Sequence, residues 1–148
     1  EYGYSYRFGL GYILFADQPL DAYFTPPMFH RSSYINSGTV IPGEFDIGQW
    51  FRPFNLEIQA WDKEGEIILK KDEPLFYIEF KTDKPILLHR FNLNNKLTSY
   101  INSSIDLSIF PKGESLLSRY NRFKTVGMKE KILTEIKKNL IDEDPLKI

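Results

Sequence analysis

The sequence predicts a mainly antiparallel β domain, a sandwich or barrel in type, followed by one or two C-terminal α-helices. Three observations predict it. First, Asn55-Leu56-Glu57-Ile58-Gln59-Ala60-Trp61 sets Leu56, Ile58 and Ala60 on one side of an extended chain. Leu75-Phe76-Tyr77-Ile78-Glu79-Phe80-Lys81 does the same with Phe76, Ile78 and Phe80, and a period of two marks strands with one buried face. Second, turn signals separate such segments: Asp62-Lys63-Glu64-Gly65, Lys71-Asp72-Glu73-Pro74 and Thr82-Asp83-Lys84-Pro85. Hairpin following hairpin builds a sandwich or barrel rather than a parallel sheet. Third, Met128, Ile132, Leu133, Ile136, Leu140 and Ile141 recur at helical spacing, with Lys129, Glu130, Lys137 and Lys138 off that stripe, which is the pattern of an amphipathic helix.

From Tyr4 to Phe15 the even positions carry Tyr4, Tyr6, Phe8, Leu10, Tyr12 and Leu14, against Ser5, Arg7, Gly9 and Gly11 on the odd ones. This reads as one long strand, bent or bulged at its glycines. Asp17-Gln18-Pro19 ends it, and Leu20 to Thr25 makes a second, short strand. Pro26-Pro27 then denies the chain ladder hydrogen bonds. Met28 to Asn36 reads as loop, Gly38 to Ile41 as a brief strand and Pro42-Gly43 as a turn. From Glu44 to Phe54 the chain makes an irregular aromatic crossing that holds Phe45, Trp50, Phe51 and Phe54. Strands follow at about 55–61, 66–70, 75–81 and 86–91. After about Asn102 the character changes. Ser115 to Phe123 reads as a short helix bearing Arg119 and Arg122, and Met128 to Ile141 as a longer one with Thr125 or Gly127 at its start.

The chain has 148 residues, the size of one domain. Residues 1–101 read as its β-rich core and 102–148 as a mostly helical extension packed on that core. Aromatic residues make up 16%, with 12 Phe, 9 Tyr and 2 Trp. That is a surplus over what one small core needs, and Tyr and Trp favour interfaces where one end stays wet. With 19 basic and 20 acidic residues the net charge is −1. There is no field to gather nucleic acid or an acidic membrane, so neither is expected as a partner. Tyr2, Tyr4, Tyr6 and Tyr12 present ring faces, but a base-stacking groove at neutral charge lacks phosphate anchors. There is no Cys, hence no disulfide framework, no thiolate nucleophile and no Cys-based metal site. Apolar runs are too short to span a bilayer as a helix. A cytoplasmic location is expected, and the opening at Glu1 points to a true start upstream or removed.

His30 and His89 are the only histidines, and two distant His make no metal set. No metal and no cofactor are expected. The closely spaced histidine pair and Glu of metal-binding cupins are missing, so a cupin-like barrel here would be a metal-free one. There is no Gly-x-Ser-x-Gly elbow and no Gly-rich phosphate loop.

One constellation runs in order along the chain: Arg31-Ser32-Ser33, Ile41-Pro42-Gly43-Glu44-Phe45, Leu56-Glu57-Ile58, then Ile67 to Pro74 and Phe80. Over residues 31–80 this resembles the β-clip nucleotide enzymes, the dUTPase and dCTP deaminase families. The resemblance implies a β-clip fold, phosphate contacts at Arg31, Ser32 and Ser33, Glu57 as the catalytic general acid/base, and Mg2+ with the nucleotide. Ile41 stands where dUTPases place an Asp before the Pro-Gly-like turn. Separately, Phe45-Asp46-Ile47-Gly48-Gln49-Trp50-Phe51-Arg52-Pro53-Phe54 is similar to a segment of uncharacterised small proteins of marine bacteriophages, which implies a viral context and a host cytoplasm. In that segment Trp50 and Arg52 are candidate ligand contacts, with Arg52 stacked or paired with Asp46.

Together these readings favour a non-catalytic assembly or ligand-binding module that forms a homo-oligomer. Its first strand would add to another subunit's sheet. The alternative is a nucleotide-processing β-clip enzyme.

Overall fold

A computed structural model describes residues 3–49, 51–105, 118, 127–141 and 145–148. Among these the strands are β1 Tyr4–Gly9, β2 Asp21–Thr25, β3 Gly38–Val40, β4 Gly43–Asp46, β5 Asn55–Ala60, β6 Tyr77–Phe80, β7 Leu87–Leu88 and β8 Leu146–Lys147. A 3-10 turn covers Ser33–Asn36, and the helices are α1 Asn95–Ile105 and α2 Met128–Lys138. The protein is mainly β, with antiparallel sheets and helices toward its C-terminus. Among the described residues both three-stranded sheets end on edges without a further strand, and none closes into a barrel. No described helix is long and apolar enough to cross a membrane.

The strand order departs from hairpin-after-hairpin. One sheet runs β1-β5-β3, another β4-β2-β6, and β7-β8 form a third. β5 lies between strands far from it in sequence, with Tyr4 opposite Ala60 and Phe8 opposite Leu56 on one side, and Gly38 opposite Ala60 on the other. β6 pairs with β2, Phe24 opposite Ile78. The Asp62–Gly65 turn does form, closed by the Gly65 N–H on the Asp62 carbonyl at 3.4 Å. The strand expected at 66–70 does not form. Ile67 packs against the core while Ile68 and Leu69 stay exposed, so this segment has no clean two-residue alternation of burial. The first strand stops at Gly9, and Gly11 turns the chain with a φ of 71°, a conformation that costs glycine little.

The chain divides into two compact units: residues 1–12, 21–45 and 53–81, and residues 13–20, 46–52 and 82–148. In the first, Tyr34, Val40, Leu56 and Ile58 form a buried cluster flanked by Phe8, Leu10, Ile67, Leu75 and Phe76. Phe76 also reaches the β4-β2-β6 sheet, its ring 5.6 Å from that of Phe24, which packs in turn on Phe45 and Phe54. Each such aliphatic or aromatic side chain contributes about 1.5–3 kcal/mol when fully buried.

In the second unit Phe51, Leu97, Ile101, Ile132 and Ile136 form the core. The stripe of α2 is the predicted one for Ile132 and Ile136. Gly127 precedes the helix with a φ of 61°, and Asn139 ends it, its N–H on the Ile136 carbonyl at 2.9 Å. The helix therefore stops before Leu140, which instead bridges Phe91 in an antiparallel ribbon. Helix α1 was not expected. Asn94 caps it through Oδ1, which accepts the Leu97 N–H at 2.9 Å, and Leu97 and Ile101 share its inner face. At the crossing, Asp46 accepts the N–H of Leu20 at 3.3 Å, the N–H of Gly48 at 2.9 Å and the Gln49 amide. Gly48 runs so close to the chain that a Cβ there would lie 2.3 Å from the Gln18 carbonyl. The helix expected at Ser115–Phe123 lies outside the described residues except for Ser118, which is helical.

Candidate functional site

Arg31, Ser32 and Ser33 come together in the first unit on the wall of a cleft of about 390 Å³, with Asn36, Ile68, Lys70 and Glu73 completing the lining. Local structure places them. Ser32 is extended, with φ −108° and ψ 142°, and starts the 3-10 turn that carries Ser33 to Asn36. Ser32 is 2% exposed, and its hydroxyl donates to the Pro74 carbonyl at 2.6 Å. Ser33 donates twice to Glu73, from its backbone N–H at 2.6 Å and from its hydroxyl at 2.8 Å. Tyr34 adds a third tie, its hydroxyl on the Leu75 carbonyl at 2.6 Å. The segment from Glu73 to Leu75 is thus fastened to the 3-10 turn by four hydrogen bonds.

These bonds set the electrostatics. The Ser33 N–H, then its hydroxyl, stabilise the ionised Glu73 carboxyl and hold it below the usual carboxylate range; nearby Lys70 adds to this. Burial pushes the Tyr34 phenol up to about 12. The cleft wall therefore carries Arg31, Lys70 and an ionised Glu73 side by side, with both serine hydroxyls engaged as donors inside the protein. Sequence reasoning identified Arg31, Ser32 and Ser33. It included Lys70 and Glu73 in the run Ile67 to Pro74 but gave them no role, since Lys70 closes an expected strand and Glu73 lies in a turn signal.

Glu57 sits on β5 between the buried Leu56 and Ile58, so the alternation turns it away from the core. There it accepts the Ser5 hydroxyl at 2.9 Å and faces the Arg7 guanidinium at 3.6 Å, both from β1. Arg7 lies directly opposite it in the register. An exposed pair of this kind contributes about 0–1 kcal/mol. The lining of the cleft is made by other residues, so Glu57 and the two serines belong to separate places on the first unit. Of the aromatic crossing, Arg52 is half-buried next to the buried Phe51, and Trp50 lies outside the described residues. His30 contacts the Tyr77 hydroxyl through Nδ1. Among the described residues no three His, Asp or Glu side chains gather where they could hold a metal.

The second notable surface is the outer edge of β1. Tyr4 and Tyr6 lie on the core-side face of their sheet, opposite Ala60 and Ile58. Yet Tyr4 is 46% exposed and Tyr6 39%, while Ala60 is 4% exposed and Ile58 0%. The Lys63 turn covers them in part, with Lys63 Nζ 5.4 Å from the Tyr4 ring centre and the Tyr6 hydroxyl 3.4 Å from the Lys63 carbonyl. Comparison of this chain with protein-family models, with curated proteins and with solved structures finds no match.

Proposed function

We propose that this protein is a non-catalytic assembly module whose working form is a homo-oligomer. One observation carries the reading. Tyr4 and Tyr6 extend the core-side face of a sheet whose next strand buries Leu56, Ile58 and Ala60 on that face, and they remain 46% and 39% exposed at an edge strand. A surface of this kind is completed when another chain is laid against it. The surplus of aromatic residues, 16% of the chain, fits the same role.

The test is the mass of the protein in solution by sedimentation across a wide concentration range, for the wild type and for Tyr4→Ser/Tyr6→Ser. An oligomer that the double variant weakens is the expected result. A wild-type monomer throughout overturns the reading.

A nucleotide-processing enzyme is the second reading, and Arg31 and Lys70 beside Ser33 in one cleft support it. The engaged serine hydroxyls and the ionised Glu73 oppose it, since a phosphate would have to displace a carboxylate. Deoxynucleotide with Mg2+ at 100 times its dissociation constant would stabilise the protein by about 2.7 kcal/mol. A thermal shift of that kind, lost in Arg31→Ala or Lys70→Ala, would favour the enzyme.

A further inference from the structure

We propose that β1 is a self-complementary seam: two copies of the chain pair their β1 strands antiparallel about a twofold axis at Tyr6, joining two three-stranded sheets into one of six. The proposal rests on the assembly reading and specifies its interface.

The backbone settles which groups the seam can use. The Ile41 N–H donates to the Glu57 carbonyl at 2.8 Å, and the Trp61 N–H to the Ser37 carbonyl at 2.9 Å. Residues 57, 59 and 61 of the β5 line therefore direct their N–H and C=O groups toward β3. In an antiparallel ladder successive residues bond to opposite sides. Leu56, Ile58 and Ala60 then bond toward β1, to their partners Phe8, Tyr6 and Tyr4. The same alternation along β1 turns the N–H and C=O of Ser5 and Arg7 to the open edge.

Side chains choose the register. A twofold antiparallel pairing can centre on Arg7, on Ser5 or on Tyr6. Centring on Arg7 sets two guanidinium groups opposite each other, a destabilising arrangement. Centring on Ser5 sets Arg7 opposite Gly3 and carries Phe8 beyond the start of the second copy's strand, opposite a position outside the described residues. Centring on Tyr6 places Ser5 opposite Arg7 of the second copy, Tyr6 opposite Tyr6, and Tyr4 opposite Phe8. Backbone bonds then run between Ser5 and Arg7, the residues whose groups face outward. All the aromatic side chains fall on the core-side face, where Tyr4 and Tyr6 are 46% and 39% exposed. Arg7 keeps Glu57 of its own chain at 3.6 Å on the outer face, so the seam brings in no unmatched charge. Strand addition of this kind draws its affinity from main-chain bonds and its specificity from alternate side chains.

Four variants test the seam beside the wild type. The chain has no cysteine, so Tyr6→Cys introduces a single thiol. At a residue facing itself across a non-hydrogen-bonded pair the Cα atoms stand about 4.5 Å apart, within the range of about 4.4–6.8 Å that a disulfide spans. Mild oxidation is expected to convert Tyr6→Cys to a covalent dimer, and to leave Ser5→Cys and Arg7→Cys uncrosslinked. Arg7→Pro removes an N–H that faces the open edge, a position where a strand tolerates proline. It is expected to give a monomer with an unchanged circular dichroism spectrum. A wild-type oligomer in which Tyr6→Cys fails to crosslink, or which Arg7→Pro leaves assembled, overturns the seam while the assembly reading stands. Crosslinking through Arg7→Cys or Ser5→Cys in place of Tyr6→Cys overturns the register. A wild-type monomer at every concentration overturns seam and assembly reading together.

Discussion

Ser33 holds Glu73 with two donors at once, its N–H at 2.6 Å from one carboxylate oxygen and its hydroxyl at 2.8 Å from the other. A two-pronged grip on an ionised group is stronger than a neutral pair, and it fastens the Lys71–Pro74 turn across a long stretch of sequence.

The grip makes part of the stability acid-sensitive. The folded state lowers the Glu73 carboxyl from its ordinary value of 4.5. The resulting stabilisation is fully present above pH 4.5 and is lost as pH falls through the folded value. Glu73→Gln and Ser33→Ala are expected to lower the denaturation midpoint at pH 7, with the gap to wild type closing in acid. Denaturant melts between pH 7 and 3 check this; a gap that stays constant with pH contradicts it.

Tyr34 works at the opposite end of the scale. Its buried phenol ionises near 12 instead of 10.0, so its stabilising contribution is present below pH 10 and lost as pH rises toward about 12. Tyr34→Phe removes the donor to the Leu75 carbonyl and is expected to cost about 1–3 kcal/mol at neutral pH. Tyrosinate absorbance across an alkaline titration checks the ionisation: a late component is expected, and it should be missing in the variant.

In the second unit the buried Glu135 of α2 accepts the Asn94 amide at 2.8 Å and Lys96 Nζ at 3.1 Å, with Lys138 at 3.6 Å. Asn94, the largest cause, and then Lys96 hold its carboxyl below the ordinary 4.5. Its contribution too is present above that value and lost on acidification through the folded one. Asn94→Ala removes both this bond and the cap of α1, and the cap alone is worth about 0.5–2 kcal/mol. Loss of amide-exchange protection in α1 at neutral pH is the expected readout, with Glu135→Gln showing an effect that fades in acid.

Gly11 and Asp72 take left-handed backbone conformations, with φ of 71° and 67°. Gly11→Ala is expected to destabilise by about 1–2 kcal/mol. Asp tolerates this region better than Ala, so Asp72→Ala should also destabilise, by up to about 1 kcal/mol, while Asp72→Gly should change little. Thermal melts rank the variants; an Asp72→Ala protein more stable than wild type would contradict the ranking.

Burial periodicity was readable wherever an element's inner face is set by its own residues. Leu56, Ile58 and Ala60 announced β5, and Ile132 with Ile136 announced α2. Asn94, Leu97 and Ile101 held the cap and spacing of α1, a signal present in the chain and not read. The Arg31-Ser32-Ser33 element stood out through its resemblance to the β-clip nucleotide enzymes, not through any local pattern of burial.

Strand partners were another matter. Turn composition after β5 favours a return strand at 66–70, yet β5 is paired by β1 and β3, and β6 by β2. Adjacent turns cost little loop entropy. The competing gain comes from burying a whole sheet face at once, which depends on residues distant along the chain. The same holds for the contacts of the candidate site residues. Glu73 meets Ser33, and Glu57 meets Ser5 and Arg7, only because the folded sheets bring them there. Composition and alternation by themselves determined the fold class and the inner faces of β5 and α2. Which strands pair, which hydroxyls are engaged and which edge is left open were decided by tertiary packing, because those depend on non-local burial that no local pattern encodes.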